Sequence, residues 1–123
     1  MSDAQAWKAA VRERLKAAMK ARSDADRSLW RQVLALIENA EAVEAPLVTQ
    51  ESSVIAGSRA GLGASEAARR ALSADEVRSL LRADIAERRN AAPELERVGQ
   101  ETEATLLRTQ AEAVEAFVGE APV

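Results

Sequence analysis

The sequence predicts an all-α protein: a four-helix bundle built from two helical hairpins, with a long loop between helices 2 and 3. Three observations carry that expectation. The 123-residue chain is 47% hydrophobic but only 2% aromatic. Much of its apolar content is alanine, the best helix former, and the abundant arginine and glutamate follow closely. Apolar residues recur three and four positions apart in four separate segments, which is the helical period. Serine-led caps precede three of those segments, at Ser2, Ser23 and Ser73. The length suits a single domain spanning 1–123.

Helix 1 is expected from a Ser2 or Asp3 cap to about Arg22, with Trp7, Val11, Leu15, Ala18 and Met19 as its apolar stripe. Beside it Lys8, Arg12, Lys16 and Lys20 stand at strict i+4 intervals. Four cations on one edge repel modestly unless acids or a polyanion face them. The Ser23-Asp24-Ala25-Asp26 break starts helix 2, which is expected to reach about Glu44. Leu29, Trp30, Val33, Leu34, Leu36, Ile37, Ala40 and Val43 make this the most hydrophobic segment and the expected central helix. So short a break turns helices 1 and 2 into an antiparallel hairpin.

Pro46 is expected to end helix 2. Residues 46–72 lack clean periodicity, hold Gly57, Gly61 and Gly63, and read as a flexible connection with a short helical turn at 65–71. A loop this long in a compact domain is functional or disordered. Its glycines follow no strand and precede no Gly-Lys-Ser/Thr, so they are not a phosphate-binding loop.

Ser73 and Glu76 form a capping box ahead of helix 3. Val77, Leu80, Leu81, Ile85, Ala92, Leu95 and Val98 are its apolar face. Pro93 removes one backbone bond and clashes with the Arg89 carbonyl, so a kink near 89–92, or a fresh helical segment from Pro93, is expected. Gly99 is placed to be the left-handed residue closing this helix. Helix 4 starts between Gln100 and Thr102 and presents Leu106, Leu107, Ala111, Val114, Phe117 and Val118, with Gly119 and Pro122 ending it.

Net charge is −3, unevenly spread: +3 over 1–39, −1 over 40–72 and −5 over 73–123. The basic front and acidic back are expected to attract each other on folding. The chain has no cysteine and no histidine. Disulfides, thiolate metal sites, Cys nucleophiles and Ser-His-Asp catalysis are thereby excluded. Metal ligation would fall to carboxylates alone, and Asp84/Glu87 and Glu112/Glu115 read as solvated faces. No catalytic residue, metal or cofactor is expected. The N-terminus has no apolar signal core and no window approaches a membrane span, so a cytoplasmic location is expected.

Several stretches, in order, resemble the GatB/YqeY family in its stand-alone YqeY-like branch. Lys16-Ala-Ala-Met-Lys-Ala-Arg22 is similar to the first-helix signature. Trp30-Arg31 and Ile37-Glu-Asn-Ala-Glu41 resemble the second helix, and Leu72-Ser-Ala-Asp-Glu-Val77 the opening of the third. Glu87-Arg-Arg-Asn90 and Gly99-Gln-Glu101 match an arginine-rich turn and interhelical glycine. Glu112-Ala-Val-Glu115 and Phe117-Val118 resemble the end of the fourth helix. The resemblance covers most of the chain outside 46–72. It implies a helical accessory domain linked to the tRNA-dependent amidotransferase, a carbon–nitrogen ligase with glutamine as amido donor, or to tRNA itself. The sequence departs from the family at Gly119, where a proline is usual, and at Pro93, where an ordinary helix former is usual. It also ends after the fourth helix, without the C-terminal three-helix domain most like the tRNA-engaging tail, which weakens the tRNA expectation.

Amide transfer from glutamine needs a nucleophile to release ammonia and a phosphate site to activate the acid. Ser52-Ser53 only superficially echoes the family amidase's Ser-Ser-Lys, because no lysine lies beyond position 20. The expectation is a protein without intrinsic activity. Its candidate nucleic-acid surface is Lys8, Arg12, Lys16, Lys20, Arg22, Arg31, Arg88 and Arg89, which would hold a phosphate backbone. The ordinary alternative, the favoured one, pairs these cations with acids of helices 3 and 4. Arg31 is expected as an internal anchor reaching Glu87 or a helix end, and Asn39 as a partner for a loop backbone group. Trp7 and Trp30 are expected in the core rather than in an exposed partner patch. The second function class is a protein-interaction module with no nucleic-acid role, docking through 46–72 and the Pro93 kink.

Overall fold

A computed structural model of the chain describes residues 2–42, 71–120 and 122. It contains α1 (Asp3–Lys20), α2 (Asp24–Glu41), α3 (Ala74–Arg97) and α4 (Glu101–Glu120). No strand occurs among the described residues. α1 packs on α2 and α3 on α4, giving the two hairpins that the sequence predicts. The expected connection from Pro46, its glycines, the turn at 65–70 and the last residues expected of helix 2 lie outside the described residues; Ala71 and Leu72 are non-helical.

The caps act where the sequence puts them. Ser2 accepts from the Gln5 N–H at 3.2 Å, and the Gln5 side chain accepts from the Ser2 N–H at 2.9 Å. Ser73 and Glu76 repeat this reciprocal pair at 3.1 and 3.0 Å. Ser23 accepts from the Asp26 N–H at 3.2 Å. Each cap satisfies helix-end donors that would otherwise have no partner.

Both hairpin corners use the same backbone device. After α3, Gly99 adopts φ +83, the Gln100 N–H reaches the Leu95 carbonyl at 2.8 Å and the Gly99 N–H reaches Glu96 at 3.0 Å. After α1, the Ser23 N–H reaches the Ala18 carbonyl at 3.0 Å and the Arg22 N–H reaches Met19 at 3.2 Å. This is the six-to-one and five-to-two closure of a left-handed helix terminus. The first corner, however, places Arg22 at the left-handed position, with φ 57. Ser23 therefore both closes α1 and caps α2, which is why three residues suffice for the turn.

Pro93 does not break α3. The helix runs uninterrupted from Ala74 to Arg97, with neither a break near 89–92 nor a new segment at Pro93. Pro93 lies on the exposed face within the last two turns, so the Arg89 carbonyl that loses its backbone partner lies toward water. Gly119 likewise does not end α4, which continues to Glu120.

The core draws evenly on all four helices, so α2 is not a central one. Trp7 and Val11 come from α1, and Leu29, Trp30, Val33 and Ile37 from α2. Val77, Leu81 and Ile85 come from α3, and Ala111, Val114, Phe117 and Val118 from α4. Phe117 meets Trp7 edge-on at 5.7 Å and Trp30 at 5.3 Å. Such pairs add about 0.5–1.5 kcal/mol each beyond area burial. The Arg14 guanidinium roofs this cluster, 5.5 Å from the Trp30 ring and 5.2 Å from Phe117, and bonds Glu120 at 2.9 Å. Three residues expected in apolar faces are instead exposed: Met19 at 53%, Val98 at 69% and Leu106 at 43%.

The two corners predict opposite responses to opposite substitutions. Gly99→Ala meets no steric obstacle, so its cost is the backbone conformation alone, about 1 kcal/mol. Arg22→Gly removes the same strain and should stabilise by up to about 1 kcal/mol. Paired urea titrations measure both, and an Arg22→Gly variant no more stable than the parent would contradict the assignment of strain to that corner.

Candidate functional site

The eight cations expected to form one surface do not form one. Lys8 is buried, and its Nζ donates to Glu41 Oε1 at 2.7 Å with both side chains about one-tenth exposed. Arg12 pairs with Glu38 at 3.7 Å, and Lys16 lies 4.0 Å from Glu13. Arg89 donates to Glu115 at 2.6 Å across the second hairpin. Lys20, Arg22 and Arg31 are exposed and have no acid partner among the described residues.

Most of these cations are thus held by acids at home: Arg88 and Arg89 by acids of α3 and α4 as expected, the cations of α1 by others. Those of α1 pair with acids of α1 and α2, because the antiparallel edges within a hairpin lie side by side. Among the described residues, Arg14–Glu120 is the one ion pair joining the basic hairpin to the acidic one.

Arg88 is the internal anchor, a role expected of Arg31. It is buried on the core-facing side of α3. Its Nε donates to Asp84 at 2.8 Å, Nη1 to Gln110 at 2.6 Å and Nη2 to Gln32 at 2.9 Å. One guanidinium therefore ties together α2, α3 and α4, which its planar fork of donors allows. Asp84 is correspondingly not on a solvated face: its side chain is 13% exposed. Arg31 and Asn39 are both exposed. No buried side-chain nitrogen or oxygen among the described residues lacks a partner.

Sequence reasoning missed Glu41, Gln32, Asp84 and Gln110. A signal existed. Arg88 continues the spacing of Val77, Leu81 and Ile85 toward Ala92, and Gln110 continues that of Val114 and Phe117. A polar residue in an apolar stripe must find a buried partner, and the nearest such residues on facing helices are each other.

A groove of about 520 Å³ opens between α3 and α4. Its floor is Ile85, Ala86, Val118 and Gly119, and its rim carries Arg82, Asn90 and the paired Arg89 and Glu115. Gly119 is helical, and a Cβ built there would meet no atom within 4 Å. Neither backbone conformation nor packing requires this glycine. Arg78, Arg88, Arg89, Arg97 and Arg108 of this hairpin all pair with carboxylates. Arg82 pairs with none among the described residues.

Past Arg88 no hydrogen bond or ion pair joins residues 89–109 to α1 or α2 among the described residues. Ala92 and Ala104 are fully buried there, and Arg108 grips both Glu96 oxygens at 2.8 and 3.0 Å. No three carboxylates among the described residues gather to hold a metal ion. No helix there is long and apolar enough to cross a membrane. The chain matches no family model, no curated protein and no solved structure.

Arg88→Ala should cost about 3–5 kcal/mol, because it leaves the largely buried Asp84 carboxylate and the buried Gln110 amide without their donor. Arg88→Lys should recover little of this, since a single ammonium cannot span three divergent partners. Thermal denaturation distinguishes the two cases, and full rescue by lysine would show the fork geometry to be irrelevant.

Hydrogen bonding to Arg89 holds the Glu115 carboxyl below its ordinary value of 4.5, and Arg108 does the same for Glu96. Both groups are depressed on folding, so their contribution is complete above 4.5 and is lost as pH falls through the folded values. Carboxyl NMR titration should show both shifts, and Arg89→Gln should return Glu115 alone to the ordinary range.

Proposed function

We propose that this chain is a non-catalytic accessory protein of the GatB/YqeY kind, acting beside the tRNA-dependent amidotransferase by binding one of its protein components. The family half of this reading rests on the sequence resemblance and on where its residues fall. Glu41, Arg88 and Gly99 belong to the resembling stretches, and they are a buried ion-pair partner, the three-helix anchor and a left-handed corner. A signature of that kind preserves a scaffold and leaves the contact surface free to vary.

The single observation that favours a protein partner over tRNA is the neutralisation of the basic set. Five of its eight members face carboxylates within the molecule. A backbone-binding surface needs cations free to replace condensed counterions. The second reading keeps tRNA and confines it to the α1–α2 corner, where Lys20, Arg22 and Arg31 are unpaired and Lys16 is 77% exposed.

The two readings separate on salt. Capture of an amidotransferase subunit by the tagged chain should persist between ~50 and ~200 mM salt, whereas tRNA retention through four phosphate contacts would fall about a hundredfold. If purified tRNA is retained at low salt and Lys16→Glu/Lys20→Glu abolishes that retention, the nucleic-acid reading replaces the protein one.

A further inference from the structure

We propose that the α3–α4 groove is a docking site for an acidic amphipathic helix of a protein partner. This rests on the protein-partner reading and identifies the surface and its chemistry. The floor of Ile85, Ala86, Val118 and Gly119 is apolar, which suits the apolar stripe of a helix laid along the groove. Arg82 and Arg89 rim it two helical turns apart, a spacing of about 10.5 Å. A helix lying parallel to α3 repeats its surface every seven residues, so acids at i and i+7 match the two arginines while apolar residues at i+3 and i+4 meet the floor.

Charge supports the same occupant. The segment 73–123 carries a balance of −5, yet this rim is locally positive. Arg82 has no acid partner among the described residues. Arg89 spends one nitrogen on Glu115, and its remaining donors point to no other carboxylate with a bond. Glu112 adds a weaker attraction to Arg89. Arg82 and Arg89 against Glu115 leave the rim with one positive charge in excess, on a hairpin whose other arginines are matched.

Gly119 supplies the second, independent observation. Gly119 lines the groove, and a Cβ there meets no atom within 4 Å, so a long side chain at that position has room to extend over it. The same fact provides a test that does not unfold the protein, since replacing a helical glycine whose Cβ position is open raises helix propensity.

The experiment titrates the full 15N-labelled chain with two acetylated and amidated 14-residue alanine-rich peptides. One carries glutamates seven residues apart with leucines between them; the other has lysines in place of the glutamates. The acidic peptide should shift amides of residues 82–90 and 115–119 and bind at least tenfold tighter than the lysine peptide. Arg82→Glu should invert that preference, and Gly119→Leu should abolish binding while leaving the helical signal intact. Equal binding of both peptides, shifts centred elsewhere, or unchanged binding to Gly119→Leu would each overturn the groove. The outcome is separable from that for the amidotransferase: a groove that takes the acidic peptide in a chain that captures no amidotransferase subunit removes the named partner and keeps the site.

Discussion

Phe117 sets the terms on which the two hairpins meet. The chain has only two tryptophans, one phenylalanine and no tyrosine, so few side chains can fill a space between helix pairs. Phe117, on α4, reaches both tryptophans of the first hairpin edge-on. Around that contact the remaining core residues are small or medium, and fully buried valines and alanines let the helices approach. Arg14 covers the cluster with its guanidinium while holding Glu120. An arginine there brings its apolar stem and its flat cation to the ring faces, and keeps its charge at the surface. The last turn of α4 is thus tied to α1 where the aromatic cluster lies.

Because the junction between hairpins is mainly apolar, the charges settle within hairpins. This accounts for the failure of a simple electrostatic picture in which a basic front half meets an acidic back half. Long side chains pair with whatever lies along the adjoining antiparallel edge, and for α1 that edge belongs to α2. The buried exceptions carry the structural weight. Lys8–Glu41 fixes one end of the first hairpin, and Arg88 joins Asp84, Gln110 and Gln32. Removing one member of such a group leaves an uncompensated buried polar atom, so these contacts specify geometry even where their net contribution to stability is small.

The same division shapes the functional reading. The stretches behind the proposed resemblance hold both scaffold residues, such as Glu41, Arg88 and Gly99, and exposed cations, such as Lys20 and Arg31. What faces outward among the described residues is an acidic hairpin with an open groove, and a first hairpin with three unmatched cations. Its strained Arg22 corner shows how tightly the first hairpin is closed, with one serine serving two helices.

Much of the architecture was legible from residues alone. Helix starts were set by local chemistry at Ser2, Ser23 and Ser73, and the second corner by the one residue type that adopts a left-handed backbone without cost. Spacing placed Trp7, Val33, Val77 and Phe117 in the core, because a helical period leaves them no other common face. Pro93 opens no new segment, because proline's effect depends on which side of the helix loses its bond. Arg22 gave no signal of its left-handed state, because arginine has no local preference for it. The candidate site was the least legible part. Whether Arg88 is a surface cation or a buried anchor depends on Gln32 and Gln110, which are far away in sequence. The sequence by itself determined four helices, three of them serine-capped, and their apolar faces, since these follow from interactions within a few residues. Only the tertiary structure decided which charges are neutralised, which are free and where a groove stays open, since those depend on side chains that meet across helices.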